Sequence, residues 1–361
     1  MKATAAVMHR PHEPLSIEQI DLDAPARNEV LIRTAFAGVC HSDLHYMEGL
    51  YPRACPCVLG HESSGVVLAV GSDVTYVKPG DHVITCVSVF CGECEHCLSG
   101  RMSLCVSPTT QRPAKGPQRM SLNGAPMGSQ SPLSSFADHM LVHEHAVVKI
   151  REDMPLDRAA LIGCAVTTGV GAVFRTARIE PGSTVAVIGL GGIGLSAVNG
   201  AAIAGAGRII AIDRVASKAN LAREFGATDF VDASSVDLVK ALREMTGGGV
   251  DYAFECVGLK QTVEQSFRIV KRGGTATVIG MMPVGMRFEL SGAEILGEKR
   301  IQGCAMGSNR FRTDMPRFVD FYMRGLLKLD LMISGRVRLD QINDAYAELK
   351  TGAIARNVIA F

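Results

Sequence analysis

The segment from Thr184 to Ala204 constrains the fold of this chain more than any other part of the sequence. Thr184 to Ile188 is an apolar run with the β-branched residues of a buried strand, and Ile193 to Ala204 follows a glycine-rich turn as a helix candidate. The same order of strand and then helix continues to about residue 280. Because parallel strands are joined by crossover helices, this alternation predicts an α/β fold with a parallel sheet covered on both faces. The further members of the series are Arg208 to Ile212, Ser217 to Phe225, Phe230 to Val231, Tyr252 to Phe254 and Thr275 to Ile279.

The turn between the first strand and its helix has the pattern G-x-G-x-x-G. Glycines at its fixed positions permit a tight turn, a close approach of a pyrophosphate and close packing of the helix on the strand. The amino terminus of the helix then attracts phosphate groups. The turn therefore predicts a dinucleotide-binding site that includes Gly189, Gly191, Gly192, Ile193 and Gly194.

An acidic residue, Asp213, ends the next predicted strand, nineteen residues after Gly194. A carboxylate at this place accepts hydrogen bonds from the adenosine ribose hydroxyls and repels a 2′-phosphate, which favours NAD over NADP. Arg214 favours NADP instead, because an arginine beside this site can bind the 2′-phosphate. Lys218 fits either a second ribose contact or a solvated helix lysine.

Four cysteines form a second motif, C-x2-C-x2-C-x7-C. Four thiolates can surround zinc tetrahedrally and leave no open position, so the spacing predicts a structural zinc site. An iron–sulfur cluster also uses four cysteines, but this spacing fits neither common ferredoxin pattern. The predicted ligands are Cys91, Cys94, Cys97 and Cys105.

Composition excludes several classes of function. The 361 residues suit about two domains, and 47% of them are hydrophobic. The net charge of +1, without a long run of one sign, gives no electrostatic indication of a nucleic acid or an anionic membrane as partner. We expect a cytoplasmic enzyme with a small-molecule substrate.

Two apolar segments could be mistaken for targeting or membrane segments. Ala3 to Met8 is too short for a signal peptide, and charged residues follow it at once. Ser183 to Gly207 has no charged residue and is long enough to cross a membrane, but it contains seven glycines. We interpret it as the buried strand, turn and helix described above, and expect no membrane partner.

The first 160 residues are rich in short alternating runs such as Val30 to Thr34 and Gly65 to Val70, which predict a mostly β region. Residues 106 to 135 are rich in proline, glycine and small polar residues and are predicted to form an exposed loop. Near the carboxyl terminus, helices are predicted at Met315 to Arg324 and around Gln341 to Leu349.

Potential zinc ligands also occur at Cys40 and at His61, in turn-like surroundings. Spacing alone does not define a site here, since a lone cysteine or histidine is more often structural.

Taken together, these motifs resemble the zinc-containing medium-chain alcohol dehydrogenases over nearly the whole chain. The matching stretches are GVCHSDLH, LGHESSGVV, CGECEHC, LIGCAVTTGVGAV, VAVIGLGGIGLSAV and IARNVIAF. The chain looks closer to the branch with a long loop after the structural zinc, which includes animal-type alcohol and glutathione-dependent formaldehyde dehydrogenases. The resemblance implies a GroES-like β-rich catalytic domain made of residues 1–165 and 306–361, and a Rossmann domain made of residues 166–305.

The resemblance also implies a catalytic zinc bound by Cys40, His61 and Cys164, which makes two zinc ions per chain. Cys164 cannot be chosen from spacing, because Cys86 or Cys256 would serve as well. Glu62 follows His61 as in the family, where it lies behind the zinc. Asp43 is expected to orient His61 by holding the tautomer whose other nitrogen meets the metal.

The remaining expected site residues serve the proton and the cofactor. The resemblance implies that Ser42 takes the proton of the alcohol, and that the nicotinamide ribose and His45 pass it to solvent. His41 and Arg356 match positions that hold the pyrophosphate. Because many relatives have arginine where this chain has His41, we expect a looser cofactor with a pH-dependent affinity. Thr168 matches a position that packs against the nicotinamide.

The leading hypothesis is reversible oxidation of a primary or secondary alcohol by NAD, in a homodimer or homotetramer. A glutathione-type formaldehyde dehydrogenase is an alternative, although its acidic and arginine anchors have no clear counterpart around Glu48 to Tyr51 or at Thr109, and only Arg112 lies close by. Two further alternatives are an enzyme with a tightly held, recycled nicotinamide and a non-catalytic or zinc-free quinone-reductase-like protein. The five remaining cysteines are interpreted as packing residues: Cys55, Cys57, Cys86, Cys256 and Cys304.

Overall fold

The computed structural model describes residues 1–113, 116–127 and 132–361, which pack into two compact units. Unit 1 consists of Met1–Cys164, Arg310–Gly325 and Ile333–Phe361, and unit 2 of Ala165–Asn309 and Leu326–Met332. The chain therefore passes between the units four times. The predicted domain boundaries, 165 and 306, stay a prediction.

The strands are numbered in chain order over the described residues. Those of unit 1 are β1 (Lys2–Met8), β2 (Ser16–Leu22), β3 (Glu29–Gly38), β4 (Cys57–Val58), β5 (Ser63–Val70), β6 (His82–Thr85), β7 (Met120–Leu122), β8 (Ala125–Pro126), β9 (His139–His143), β10 (Val147–Lys149), β17 (Ile333–Arg338) and β18 (Arg356–Ala360). Those of unit 2 are β11 (Thr184–Ile188), β12 (Arg208–Asp213), β13 (Asp229–Asp232), β14 (Val250–Glu255), β15 (Val270–Val278) and β16 (Arg300–Gly303).

The helices are numbered in the same way. They are α1 (His41–Met47), α2 (Glu95–Leu98), α3 (Leu156–Leu161), α4 (Thr167–Gly171), α5 (Gly192–Ile203), α6 (Ala219–Glu224), α7 (Leu238–Thr246), α8 (Lys260–Ile269), α9 (Gly292–Ile295), α10 (Phe311–Met323), α11 (Leu329–Met332) and α12 (Ile342–Lys350). Single 3-10 turns and two π-helical segments, Ile162–Val166 and Ala172–Ala177, complete the helical structure.

Unit 1 is built from two sheets, in agreement with the predicted β-rich region. One has the order β4-β1-β2-β7-β8, and the other has the order β10-β6-β5-β3-β18-β17 with β9 also paired to β3. β3 presents Val30 and Ile32 to one buried cluster, and Leu31 and Ala37 to another. This alternation is what a strand with a core on both sides requires. β18, near the end of the chain, lies in the interior of its sheet between β3 and β17.

Unit 2 contains a six-stranded, wholly parallel sheet with the order β13-β12-β11-β14-β15-β16. The central strand β11 is paired with β12 on one side and β14 on the other, and its residues Val185 to Val187 are fully buried. Strands buried on both faces read as continuous apolar runs, which is why the sequence predicted this sheet well. The predicted Rossmann-type sheet is confirmed, as is the strand, turn and helix in the uncharged segment Ser183 to Gly207.

A helical run from Leu156 to Ala177 was missing from the predicted elements. It has low intrinsic helix propensity, because β-branched residues and Gly163, Gly169 and Gly171 interrupt it. The run is long and apolar enough to cross a membrane by length and composition, and 83% of its most apolar window is buried inside the protein. Burial of this kind stabilises a helix that propensity alone does not favour.

The predicted exposed loop at residues 106–135 is wrong in part. The described residues contain the β7–β8 hairpin, and Met120, Leu122 and Met127 are buried in the core of unit 1. Apolar side chains spaced along the segment draw it onto the sheet, which its proline and glycine content concealed. Residues 114–115 and 128–131 of this segment lie outside the described residues.

Candidate metal centres and dinucleotide site

Three residues far apart in sequence meet in unit 1: Cys40, His61 and Cys164. Cys40 precedes α1, His61 lies between β4 and β5, and Cys164 lies in the π-helical segment after α3. Their ligand atoms all lie within 4.8 Å of one another, and Cys164 Sγ is 3.2 Å from His61 Nε2. The structure thus brings together the three residues that the resemblance selected as zinc ligands.

The chemistry of this set fits zinc. Two sulfurs and one imidazole are ligands that zinc prefers, and three protein ligands leave a fourth position open. A hydrogen bond with Cys164, together with the nearby charges of Arg356 and His61, holds the pKa of Cys40 well below its usual value despite burial. The site therefore already favours one thiolate, which is the form that binds a metal.

Asp43 fixes the orientation of His61. One carboxylate oxygen accepts the backbone N–H of Gly60 at 3.0 Å, and both lie close to His61 Nδ1, at 3.2 and 3.1 Å. Burial lowers the pKa of His61, but the charges of Asp43 and Cys40 and the hydrogen bonds with both residues together outweigh it and raise that pKa well above the usual value. With Nδ1 directed at Asp43, Nε2 is the nitrogen that faces the two sulfurs.

Glu62 is a fully buried carboxyl group. Neither of its oxygens has a hydrogen-bond partner among the described residues, and Arg356 Nη1 lies 3.6 Å from Oε2. Burial raises the pKa of Glu62 to about 8, against the opposing charge of Arg356. A Cβ at Gly38 would lie 2.6 Å from the carboxyl carbon, so this glycine makes room for the acid. A buried carboxyl group without hydrogen bonds beside the donor set is consistent with a cation site.

Arg356 is itself 3% exposed, and its Nη1 donates to the carbonyl of Val39 at 2.9 Å. These contacts place its guanidinium beside Glu62. The predicted contact of Arg356 with the pyrophosphate stays a prediction.

Helix α1 carries the other predicted residues, His41, Ser42 and His45. Ser42 Oγ lies 3.7 Å from Cys40 Sγ. His45 is half-buried, its Nδ1 has no hydrogen-bond partner among the described residues, and its ring lies parallel to that of Tyr51 with centroids 6.2 Å apart. Desolvation lowers the pKa of His45 and of His41, although the charge of Cys40 opposes it at both. The neutral form of both rings is therefore favoured.

The four-cysteine motif also closes into a cluster, around the short helix α2. The sulfur of Cys97 lies 3.8 Å from that of Cys91 and 3.5 Å from that of Cys94, and Cys94 Sγ lies 3.9 Å from Cys105 Sγ. Hydrogen bonds from the backbone N–H groups of Glu93 and Cys94 lower the pKa of Cys91 to about 6. Four sulfurs within 4.8 Å of one another fit a closed tetrahedral zinc site.

The glycine turn of unit 2 has the conformation that a dinucleotide requires. Gly189 has φ +90°, and a Cβ at Gly194 would clash with the carbonyl oxygen of Gly189. At Gly191, in contrast, a Cβ would meet nothing within 4 Å. Gly189 and Gly194 are therefore needed for the fold of the turn, whereas Gly191 leaves open space above it.

Asp213 connects this turn to the next strand. It accepts the backbone N–H of Leu190 at 2.7 Å and that of Val215 at 3.0 Å, and Lys218 Nζ lies 3.3 Å away. The side chains of Asp213 and Lys218 are 9% and 7% exposed, so Lys218 is not the solvated helix lysine that was the other interpretation. Arg214 is exposed.

Thr168, in α4, is almost fully buried, and its hydroxyl lies 3.5 Å from the sulfur of Met306. Its predicted contact with nicotinamide stays a prediction.

Sequence reasoning missed Glu255, a buried acid at the end of β14. Its Oε1 accepts the backbone N–H groups of Val257 and Gly258 and the hydroxyl of Thr262. A Cβ at Gly189 would lie 2.5 Å from Val257, so Glu255 orders a turn that contacts the glycine turn. The available signal was an acidic residue directly after an apolar strand, the same signal that pointed to Asp213.

Comparison with known proteins agrees with these sites. Residues 26–152 match the model of the alcohol dehydrogenase GroES-like domain, and residues 192–322 match that of the zinc-binding dehydrogenases. The S-(hydroxymethyl)glutathione dehydrogenase of Escherichia coli (strain E24377A) is 40% identical over 100% of both chains. This chain belongs to the zinc-containing medium-chain alcohol dehydrogenase family.

Solved structures of zinc alcohol dehydrogenases share the fold over the whole chain. The alcohol dehydrogenase zinc-binding domain protein of Burkholderia ambifaria is 35% identical with a TM-score of 0.95, covering 100% of this chain and 99% of that one. The benzyl alcohol dehydrogenase of Acinetobacter calcoaceticus is 30% identical with a TM-score of 0.94 and the same coverage. Zinc and NAD, the predicted cofactors, are those of this alcohol dehydrogenase family.

Proposed function

We propose that this member of the family catalyses the reversible oxidation of a primary or secondary alcohol to an aldehyde or ketone with NAD. The observation that carries the proposal is the buried donor set of Cys40, His61 and Cys164, with Asp43 and Glu62 directly behind it. A structural zinc has all four coordination positions filled by protein ligands, whereas three protein ligands leave the open position that a substrate needs.

Zinc held by these residues would supply a Lewis acid, which makes the hydroxyl of an alcohol far easier to deprotonate. Two thiolates and one neutral imidazole balance the charge of a divalent cation. Asp43 holds His61 in the tautomer that leaves Nε2 free for the metal. Bound NAD supplies the hydride acceptor.

Ser42 and His45 are proposed to move the proton. Ser42 lies beside Cys40, so its hydroxyl can accept the alcohol proton as it gives up its own. Desolvation keeps His45 neutral, and a neutral imidazole with an unpartnered Nδ1 can accept a proton and release it to water. His45 is thus suited to the solvent end of the path.

The dinucleotide is proposed to bind at the turn from Gly189 to Gly194, with the adenosine ribose at Asp213 and Lys218. Asp213 already orders the turn through Leu190 N–H, and its negative charge disfavours a 2′-phosphate. His41 and Arg356 are proposed to contact the pyrophosphate, and Thr168 the nicotinamide.

Oxidation of the glutathione adduct of formaldehyde is the second candidate, because relatives 40% identical carry that name. The arginine closest to the expected anchor, Arg112, is engaged elsewhere. Its guanidinium binds Glu29 at 2.6 Å and Asp23 at 2.5 Å, and its side chain is 10% exposed. This engagement favours the simple alcohol as substrate.

The test is NAD reduction by purified protein with aliphatic and benzylic alcohols, and separately with formaldehyde in the presence and absence of glutathione. We expect turnover of alcohols that a zinc chelator abolishes, and no stimulation by glutathione. Activity only with formaldehyde and glutathione together would assign the second candidate.

Two measurements address the remaining alternatives. Nicotinamide that survives dialysis would indicate a recycled cofactor, and protein without zinc would support the quinone-reductase type. We further propose a cytoplasmic homodimer or homotetramer, which light scattering after size-exclusion chromatography would distinguish from a monomer.

A further inference from the structure

Two cysteines outside both metal clusters lie close together just before the candidate zinc ligand His61. Cys55 is partly exposed, and Cys57 is 1% exposed in the core of unit 1. Both are free thiols, and Cys55 packs against the buried cluster that contains Cys57. With one residue between them, their Cα atoms lie at most about 7 Å apart, near the range that a disulfide spans.

We propose that Cys55 and Cys57 form an oxidant-sensitive dithiol, which a peroxide closes to a disulfide and which thereby lowers the activity of the neighbouring Cys40–His61–Cys164 site. The formation of the disulfide is independent of the proposed function, and only its effect on turnover depends on that function.

The surroundings assign different roles to the two sulfurs. Cys55 is the accessible one, with its sulfur 3.7 Å from the carbonyl of Arg53. Exposure gives an oxidant access to the Cys55 sulfur. Cys57, which is buried, retains its proton, because burial raises its pKa to about 12.

The reaction follows from these roles. The Cys55 thiolate attacks one oxygen of hydrogen peroxide, the O–O bond breaks, and a sulfenic acid and hydroxide form. The Cys57 sulfur then attacks the sulfenic sulfur, the S–S bond forms, and the S–O bond breaks. The Cys57 proton leaves with the departing oxygen as water. Two thiols lose two electrons in total, and one peroxide becomes two waters. A dithiol such as dithiothreitol reverses the change by exchange.

The short segment from Cys57 to His61 transmits the change to the metal site. Cys57 pairs with Met8 of β1, Leu59 accepts the backbone N–H of Phe136, and Gly60 donates to Asp43. Turning the Cys57 side chain toward Cys55 shifts this segment at one end. At the other end, the hydrogen bonds of Asp43 with Gly60 and His61 are then distorted, and His61 loses its orientation.

The disulfide is tested by mass. Cleavage after Arg53 and Glu62 gives the peptide Ala54–Glu62, whose cysteines are Cys55 and Cys57. After treatment of the whole protein with hydrogen peroxide, we expect this peptide to resist alkylation and to be about 2 Da lighter, and dithiothreitol to restore both thiols. A peptide that stays alkylatable at peroxide levels that inactivate the protein overturns the proposal.

The effect on activity is tested with Cys55→Ser, which removes the exposed thiol and leaves the buried one in the core. We expect the fast inactivation that dithiothreitol reverses to slow by about tenfold in this variant. The matched control is Cys304→Ser, because Cys304 is also partly exposed and lies in neither metal cluster. The control is expected to lose activity as fast as the parent. Equal rates for Cys55→Ser and the parent would refute the regulatory role even if the disulfide forms.

Discussion

At the scale of single residues, Cys40 is the clearest test of the metal site. Cys40→Ser removes one of three donors from a buried set, so we expect loss of turnover and of one zinc per chain, with the fold largely retained. Zinc content, NAD reduction and the circular dichroism spectrum measure these three effects. The control is Cys86→Ala, which removes another fully buried thiol and is expected to keep both zinc ions. Normal zinc content in Cys40→Ser would remove this residue from the metal site.

Asp213 is the residue that tests the proposed preference for NAD. In Asp213→Gly, the ribose loses its acceptor and the turn loses the bond to Leu190 N–H, so NAD binding weakens by about tenfold or more, about 1.4 kcal/mol. NADP binding is expected to weaken less, because repulsion of its 2′-phosphate also disappears. Dissociation constants for both cofactors measure the ratio. The ribose assignment fails if that ratio does not change.

Glu62 gives the metal-free protein a pH-dependent stability. The pKa of Glu62 is raised from 4.5 to about 8 by burial, so the folded state keeps a proton that the unfolded chain has already released between these values. Its contribution to stability is complete below about pH 4.5 and is lost as the pH rises through about 8. In Glu62→Gln this loss is absent, although the unpaired Arg356 lowers stability at every pH.

The measurement is urea unfolding of chelator-treated protein between pH 5 and pH 8. The difference in unfolding free energy between Glu62→Gln and the parent is expected to move in favour of the variant as the pH rises. Parallel pH profiles for the two proteins would contradict the raised pKa.

Site residues could be predicted from the sequence where the residues of one site lie close together along the chain. The four cysteines from Cys91 to Cys105 come together because a short loop joins them. Cys164 could be selected only through the family resemblance, since it lies 103 positions from His61. The pairing of Glu62 with Arg356 could not be predicted from local sequence, because it depends on β18 returning beside β3.

At the scale of elements, two glycines of the turn are expected to have different roles, Gly194 in folding and Gly191 in binding of the dinucleotide. Gly194→Ala places a Cβ against the carbonyl oxygen of Gly189, so we expect a loss of at least about 2 kcal/mol in stability. Gly191→Ala meets no atom within 4 Å, so its stability is expected to stay normal while NAD binding weakens, because the pyrophosphate approaches the backbone there. Thermal unfolding and NAD titration of the two variants distinguish the role in folding from the role in binding. Equal destabilisation by both substitutions would contradict this division.

The loop from Cys91 to Cys105 is the second element with a specific expectation. Beyond two short helical turns it has no regular structure, so a zinc held by its four cysteines would be its main source of order. We therefore expect Cys94→Ser to lower the midpoint of thermal unfolding and the zinc content. The chemical rate per correctly folded molecule is expected to change little. A variant with unchanged stability and abolished chemistry would assign a catalytic role to this loop.

The elements of unit 2 were more predictable than the long helix before them. β11 and α5 have local signals, namely a continuous apolar run followed by a glycine-rich turn. The run from Leu156 to Ala177 is helical against its own propensity, because packing decides it. The hairpin of β7 and β8 was concealed in the same way, by turn-forming residues around three buried apolar side chains.

At the scale of the whole molecule, the class of fold followed from the sequence, whereas one short passage of the chain from unit 1 into unit 2 and back did not. Alternating strands and helices distinguish unit 2 from the β-rich start without any alignment. Leu326–Met332, by contrast, belongs to unit 2 although its neighbours on both sides belong to unit 1. Seven residues carry too little pattern to reveal such an excursion.

The interior position of β18 has a consequence for biosynthesis. A ribosome delivers the chain from its amino terminus, so β3 emerges more than 300 residues before β18, which pairs with its last three residues. Every residue of unit 2 has been translated by Met332, while the larger sheet of unit 1 still lacks its last two members. The nascent protein therefore leaves the edge of β3 from Phe36 to Gly38 without its partner until β18 has been translated, and an unpaired strand edge is prone to aggregation.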